Sequence, residues 1–206
     1  MGTRESTRTR LLDATDELLL ASGDPATPVD RILERAGVSP ATLYRAYPSK
    51  EALVAAALDR RHAEWQAVWD DAVARAGSER DRLLAVFDAL EHFRARATGA
   101  RWCAFLGTAA AYADPPPVLA TAVAQESESL HTRLRTLAEP VAGDRADELA
   151  EAVALVFTGA LGMRLRPGRA VATADARAVA AVLVDAAAAW DSAAARGTGA
   201  LGDVPA

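Results

Sequence analysis

Apolar side chains recur along this 206-residue chain at intervals of three and four, the spacing that lines one face of an α-helix. Leu11, Ala14, Thr15, Leu18 and Leu19 form one such stripe and predict a helix over 7–22, closed by Gly23. Val29, Ile32, Leu33 and Ala36 predict a second helix up to Gly37. Thr27 is its expected N-cap, Pro28 stands at the first helical position and Asp30 completes a capping-box-like start. Ser39-Pro40 repeats the cap-then-proline opening for a third helix that Pro48 stops. Only Leu43 and Tyr47 have the spacing to anchor it, so most of its surface is left for solvent or a ligand. Ser49 caps a long fourth helix to about 74, carried by Leu53, Val54, Ala57, Leu58, Trp65, Val68 and Trp69.

The remaining pattern is helical as well. Helices are expected over 79–97, 102–112, from the Pro115-Pro116-Pro117 turn to about 139, over 144–166 and over 175–192, with a frayed tail at 197–206. No strand pattern and no internal repeat stand out. The fold class is therefore all-α, with about nine helices. The expected domains are a helix-turn-helix part at 1–48, a helical ligand-binding and dimerisation part at 49–194, and a flexible tail at 195–206.

Composition narrows the class. Half the residues are hydrophobic and only 5% aromatic, a balance that favours helices over sheets. No apolar run is long enough to span a bilayer, and residues 1–10 lack the apolar stretch of a secretory signal. A single cysteine, Cys103, cannot staple the fold and agrees with a cytoplasmic protein. The net charge of −5 runs against a nucleic-acid partner until it is divided. Residues 1–61 hold nine basic and nine acidic groups, leaving 14 basic and 19 acidic groups in the rest. A neutral N-terminal part binds DNA if its bases and acids lie on different faces.

Two helices joined by a glycine-containing turn, the second short and exposed, make a helix-turn-helix arrangement. Thr27, Ser39 and Ser49 each place a hydroxyl and free backbone N–H groups at a helix start, where a phosphate is favoured. Tyr44 and Tyr47 add phenol groups along the same edge. Lys50 stands in the first turn of helix 4, where the helix dipole disfavours a cation that a DNA phosphate would satisfy. An ordinary helical hairpin has the same outline but gives no reason for that lysine.

The run Ala36–Ser39, Thr42–Arg45, Tyr47 and Ser49–Val54 reads AGVS-x-x-TLYR-x-Y-x-SKEALV. In it the chain resembles the TetR/AcrR-type transcriptional regulators over roughly residues 8–57. It departs at Ala41 and Ala46, where many members have Gly and His. The resemblance implies phosphate contacts from Thr27, Ser39, Thr42, Tyr44, Tyr47 and Lys50, and base contacts from Pro40, Ala41, Thr42 and Arg45, with Arg31 as a secondary candidate. Arg45 could take guanine in a bidentate contact.

It also implies a homodimer on a double-stranded DNA operator and a small apolar effector, with no cofactor and no metal. The last two helices supply the expected dimer face, here Leu149, Val153, Phe157, Leu161, Val179, Leu183 and Trp190. Trp65, Trp69, Phe87, Phe93, Trp102, Phe105, Tyr112, His131, Phe157 and Met163 are the candidate effector-pocket residues. Most large rings at helical spacing are plain core, and Trp102 stands where many relatives have glycine. The expectation is a cytoplasmic, ligand-responsive repressor rather than an enzyme. Two other readings stay open: a similar sensor acting through protein partners, and a helical metalloenzyme. For the latter, Glu128-x-x-His131 supplies only one half of a di-iron site.

Overall fold

The computed structural model describes residues 2–21, 27–96, 103–166, 168 and 172–198. Among them are nine α-helices and no strand: α1 (Gly2–Thr15), α2 (Val29–Ala36), α3 (Pro40–Ala46), α4 (Lys50–Arg75), α5 (Glu79–Arg94), α6 (Ala104–Ala110), α7 (Pro117–Ala142), α8 (Ala146–Met163) and α9 (Thr173–Thr198). The expected all-α class holds. The expected tail at 195–206 and Trp102 fall largely or wholly outside the described side chains.

The first helix differs from its expected course. α1 ends at Thr15 and continues as a π-helical segment, Asp16–Ala21. At the junction the buried Thr15 hydroxyl donates 2.8 Å to the Leu11 carbonyl, a back-bond that competes with the regular ladder and loosens the next turn. Asp16, first in the looser turn, is held by Arg61 of α4 at 2.7 Å. Helix α7 runs past its expected end, with Pro140 inside its last turn.

The helices divide into two compact units. One comprises residues 1–68 with 92–128, the other 69–91 with 129–206, so α4, α5 and α7 each give residues to both. In the first, Leu11, Ile32, Leu33, Leu43, Leu53, Leu58, Phe105 and Leu119 form one apolar cluster, with Val38, Tyr47, Cys103 and Tyr112 packed against it. Burying such side chains, about 1.5–3 kcal/mol for each full-sized one, fastens three helices that are too short to persist alone. In the second, Trp69, Leu83, Phe87, Leu134, Val153 and Val184 are buried, and Phe87 meets Phe157 edge to face with centroids 5.9 Å apart. Helices α8 and α9 pack on each other there.

Candidate nucleic-acid interface

Helix α2 ends on Gly37, which adopts a left-handed conformation (φ 63°) open to glycine at little cost. The Gly37 N–H donates to the Glu34 carbonyl at 3.2 Å and the Val38 N–H to the Leu33 carbonyl at 3.1 Å, closing the helix and reversing the chain. Ser39 then caps α3: its hydroxyl accepts from the Thr42 N–H at 3.3 Å and lies 2.9 Å from the Thr42 hydroxyl. Pro40 fills the first turn, where its missing N–H is harmless. The Tyr47 N–H closes the far end on the Leu43 carbonyl at 2.8 Å.

Leu43, fully buried, is the side chain that anchors α3, helped by half-buried Ala46 and Tyr47. Pro40, Ala41 and Arg45 are exposed, Thr42 is half-buried, and Tyr44 is 53% exposed. A phenol left that open on so short a helix is not there for packing. Arg45 forms no ion pair among the described residues, which leaves its planar fork free for a planar acceptor. Ser49 caps α4 by accepting from the Ala52 N–H at 3.1 Å. Arg31 is exposed and 3.9 Å from Glu34, itself exposed, a loose pairing that leaves its charge accessible.

Two candidates differ from expectation. Thr27 is not a helix cap: Pro28 holds that position with no side-chain bond. The Thr27 hydroxyl is buried and donates 3.2 Å to the Leu18 carbonyl in the π-helical segment. Its carbonyl accepts from the Lys50 ammonium at 2.7 Å. The cation in the first turn of α4 thus has an internal acceptor as well as its remaining N–H groups. Tyr47 is held under Arg8, whose guanidinium lies 6.0 Å from the ring centroid. Burial pushes its phenol above the usual range, against the lowering by Arg8 and Arg60, so it stays a neutral donor.

Arg8 and Arg10 were missed by the sequence reading. Arg10 donates 3.5 Å to the Gly37 carbonyl in the helix-turn-helix turn, so α1 places two cations beside the reading helix. The Arg8-x-Arg10 spacing was the available signal.

The effector candidates fall in separate places. In the first unit Trp65 and Phe93 meet edge to face at 5.7 Å, Phe105 meets His62 at 6.1 Å, and Tyr112 is half-buried. In the second, Trp69 lies under Arg133 at 4.3 Å, Phe87 and Phe157 are core, and Met163 is half-buried. His131 is half-exposed, 3.3 Å from Glu151, and is a surface residue rather than a lining one. No group of three metal-ligating side chains occurs among the described residues.

The dimer candidates need correction on α8. Leu149, Val153, Phe157 and Leu161 are buried within the subunit. The opposite side of α8 carries Leu155, 73% exposed, and α9 exposes Val182 at 69% together with Val179 and Leu183. Of the α9 candidates, Val179 and Leu183 are exposed on the subunit, while the side chain of Trp190 lies outside the described residues.

Among the described residues an N-terminal helix-turn-helix with a sparsely anchored, cation-bearing second helix is followed by helices alone, the layout of an all-α protein. Residues 11–57 match the family model of the bacterial regulatory proteins of the tetR family. The chain is similar to the HTH-type transcriptional repressor KstR of Mycolicibacterium smegmatis, with 38% identity over 76 residues. That match spans 37% of this chain and 37% of the curated relative. It also shares its fold with the TetR-family regulator SCO4454 of Streptomyces coelicolor (TM-score 0.79, 23% identity, 89% of this chain and 97% of the other). A putative TetR-type regulator of Streptomyces avermitilis matches with TM-score 0.68 and 28% identity over 88% of this chain and 97% of its own.

Proposed function

We propose that the chain is a cytoplasmic transcriptional repressor that binds a two-fold operator in double-stranded DNA as a homodimer and lets go when a small, mainly apolar effector binds. The observation that carries this reading is the exposed side of α3, where Tyr44 and Arg45 stand out from a helix fastened through Leu43. Arg45 with Pro40, Ala41 and Thr42 reads base edges. Ser39, Tyr44, Tyr47 and Lys50 hold phosphates, with Arg31 in support. The main-chain N–H groups at the starts of α3 and α4 add fixed donors for the backbone.

Residues 1–48 form the reading head in this proposal, 49–194 the effector-binding and pairing part, and 195–206 a tail. One head of this size binds weakly, and pairing doubles the contact while selecting half-sites about 34–36 Å apart. The exposed apolar positions Leu155, Val179, Val182 and Leu183 support pairing through α8 and α9. No helix among the described residues is long and apolar enough to cross a membrane.

The test is fluorescence anisotropy on DNA from the promoter beside the gene, in a salt series. Arg45→Ala should weaken specific binding about 5- to 150-fold for each half-site, the loss of one bidentate contact in each, and relax selectivity at one base pair in each half-site. Lys50→Ala should weaken binding evenly across sequences and flatten the salt slope. Unchanged affinity in both variants rules the reading out.

A further inference from the structure

Of the 23 lysine and arginine side chains in the sequence, Lys50 is the one lysine. The two cations are not equivalent: arginine presents a rigid planar fork, lysine a compact ammonium with three rotatable donors on a flexible stem. Lys50 is half-buried in the first turn of α4, and its ammonium donates to the Thr27 carbonyl at 2.7 Å. Among the described residues that bond takes one of the three donors and leaves two for a further acceptor.

The Thr27 carbonyl is itself fixed in place. The Thr27 side chain is buried, and its hydroxyl donates 3.2 Å to the Leu18 carbonyl. Pro28 follows, and its ring confines Thr27 to extended conformations. The Pro28 carbonyl in turn accepts from the Arg31 N–H at 3.1 Å, where α2 begins. Leu18 belongs to the π-helical segment whose first residue, Asp16, is bonded to Arg61 of α4 at 2.7 Å. The connection therefore leaves α4 at Arg61, passes through Asp16, Leu18 and Thr27, and returns to α4 at Lys50. Ordering one rotamer-rich side chain at the moment of binding weakens affinity by about 2- to 12-fold. A lysine already held on a fixed carbonyl has lost that freedom before DNA arrives.

We propose that Thr27 is a positioning residue for Lys50: its inward hydroxyl fixes its carbonyl, the carbonyl holds the ammonium, and the two other N–H groups of the ammonium meet a phosphate of the operator. Thr27 thus adds to DNA affinity through the lysine and without touching DNA, its own hydroxyl being engaged inside the unit. A lysine suits this place because an ammonium reaches acceptors in different directions, whereas the donors of a guanidinium all lie in one plane. The assignment rests on the reading of the chain as a DNA-binding regulator and adds to it a residue that acts from behind the contact.

The experiment uses the full-length protein. With one lysine in the chain, a sample grown on isotope-labelled lysine gives a single set of lysine signals. In the DNA-free parent and in Thr27→Ser the Lys50 Cε should relax as an ordered group. In Thr27→Val, which keeps the shape and loses the hydroxyl, it should relax as a mobile one. Anisotropy titrations on promoter DNA follow the parent, Thr27→Ser, Thr27→Val, Lys50→Met and the Thr27→Val/Lys50→Met pair. Thr27→Val should weaken binding about 2- to 12-fold for each half-site with an unchanged salt slope, because Lys50 still reaches its phosphate once bound. Thr27→Ser should keep the parent affinity. In the Lys50→Met background Thr27→Val should have no further effect, the non-additivity of two residues that act as one. A Lys50 side chain already mobile in the parent overturns the assignment, as does a Thr27→Val loss of equal size with and without the lysine. Should Thr27→Val not fold, Lys50→Arg takes its place: it should keep the salt slope and lose affinity by the same factor, and unchanged affinity overturns the assignment. A parent that binds no operator DNA overturns the regulator reading, whereas intact operator binding with additive losses overturns only the role of Thr27.

Discussion

The Arg61 guanidinium lies 2.7 Å from the Asp16 carboxylate, with side-chain exposures of only 5% and 9%. The same guanidinium sits 5.2 Å from the Phe93 ring centroid. One α4 residue therefore ties the π-helical end of α1 to the end of α5. Removing one member of such a pair strands the other charge in a dry site, so Arg61→Ala should cost about 3–5 kcal/mol. Replacing both members with apolar residues of similar size, Arg61→Met with Asp16→Leu, should restore most of that loss. Urea unfolding followed by circular dichroism measures both, and a single variant as stable as the parent would mean that water already reaches Asp16.

Ser39 offers a local test of how α3 is held. Its hydroxyl satisfies the Thr42 N–H at the start of a helix of only seven residues. Ser39→Ala should lower stability by about 1 kcal/mol, and Ser39→Asp should retain it, because either a hydroxyl or a carboxylate oxygen accepts from the helix start. The loss should appear in operator affinity as well, since a frayed α3 must be ordered before it can bind. Denaturation midpoints and anisotropy titrations on the two variants check this together.

Much of the reading head was legible because its signals are local. Gly37, Ser39-Pro40 and Pro48 mark ends of elements by backbone chemistry alone, and those ends fall where expected. Thr27 was misread for the same reason. Thr-Pro is a good cap pattern, but a tertiary acceptor, the Leu18 carbonyl, outcompeted the helix for its hydroxyl. The Arg61–Asp16 pair spans 45 residues and leaves no periodic trace, so nothing in the sequence pointed to it. Helix α8 failed differently. It is apolar on two sides, and period alone cannot say which side faces the subunit core and which faces outward. Glu126 was readable in principle, as a charge breaking the Leu119-Ala122-Val123 stripe.

The two sides of α8 and α9 should separate by mutation. Leu155→Arg with Val182→Arg places charges on exposed apolar positions, so the protein should remain helical but sediment as a monomer. Leu149→Ala removes a buried side chain and should cost about 2–5 kcal/mol without changing assembly. Sedimentation velocity with circular dichroism distinguishes them. A doubly charged variant that still sediments as a dimer moves the pairing surface elsewhere on the chain.

Glu126 makes stability depend on pH in a direction opposite to that of an ion-paired acid. Burial raises its carboxyl from an ordinary 4.5 to about 7. Between those values the folded protein holds a proton that the unfolded chain has released, so folding stability falls as pH rises through this window. Below it both states are protonated and the penalty vanishes. Above pH 7 the folded state carries the unpaired charge in full. The side chain is only half-buried and partly screened, so the penalty should be about 1–2 kcal/mol rather than the larger figure the whole shift would imply. Glu126→Gln should therefore be more stable than the parent at pH 8 by that amount, with the advantage shrinking steadily toward pH 5. Thermal unfolding of both proteins across pH 5–8.5 measures it. A constant difference between the two curves would show that the carboxyl titrates no differently in the folded and unfolded chains.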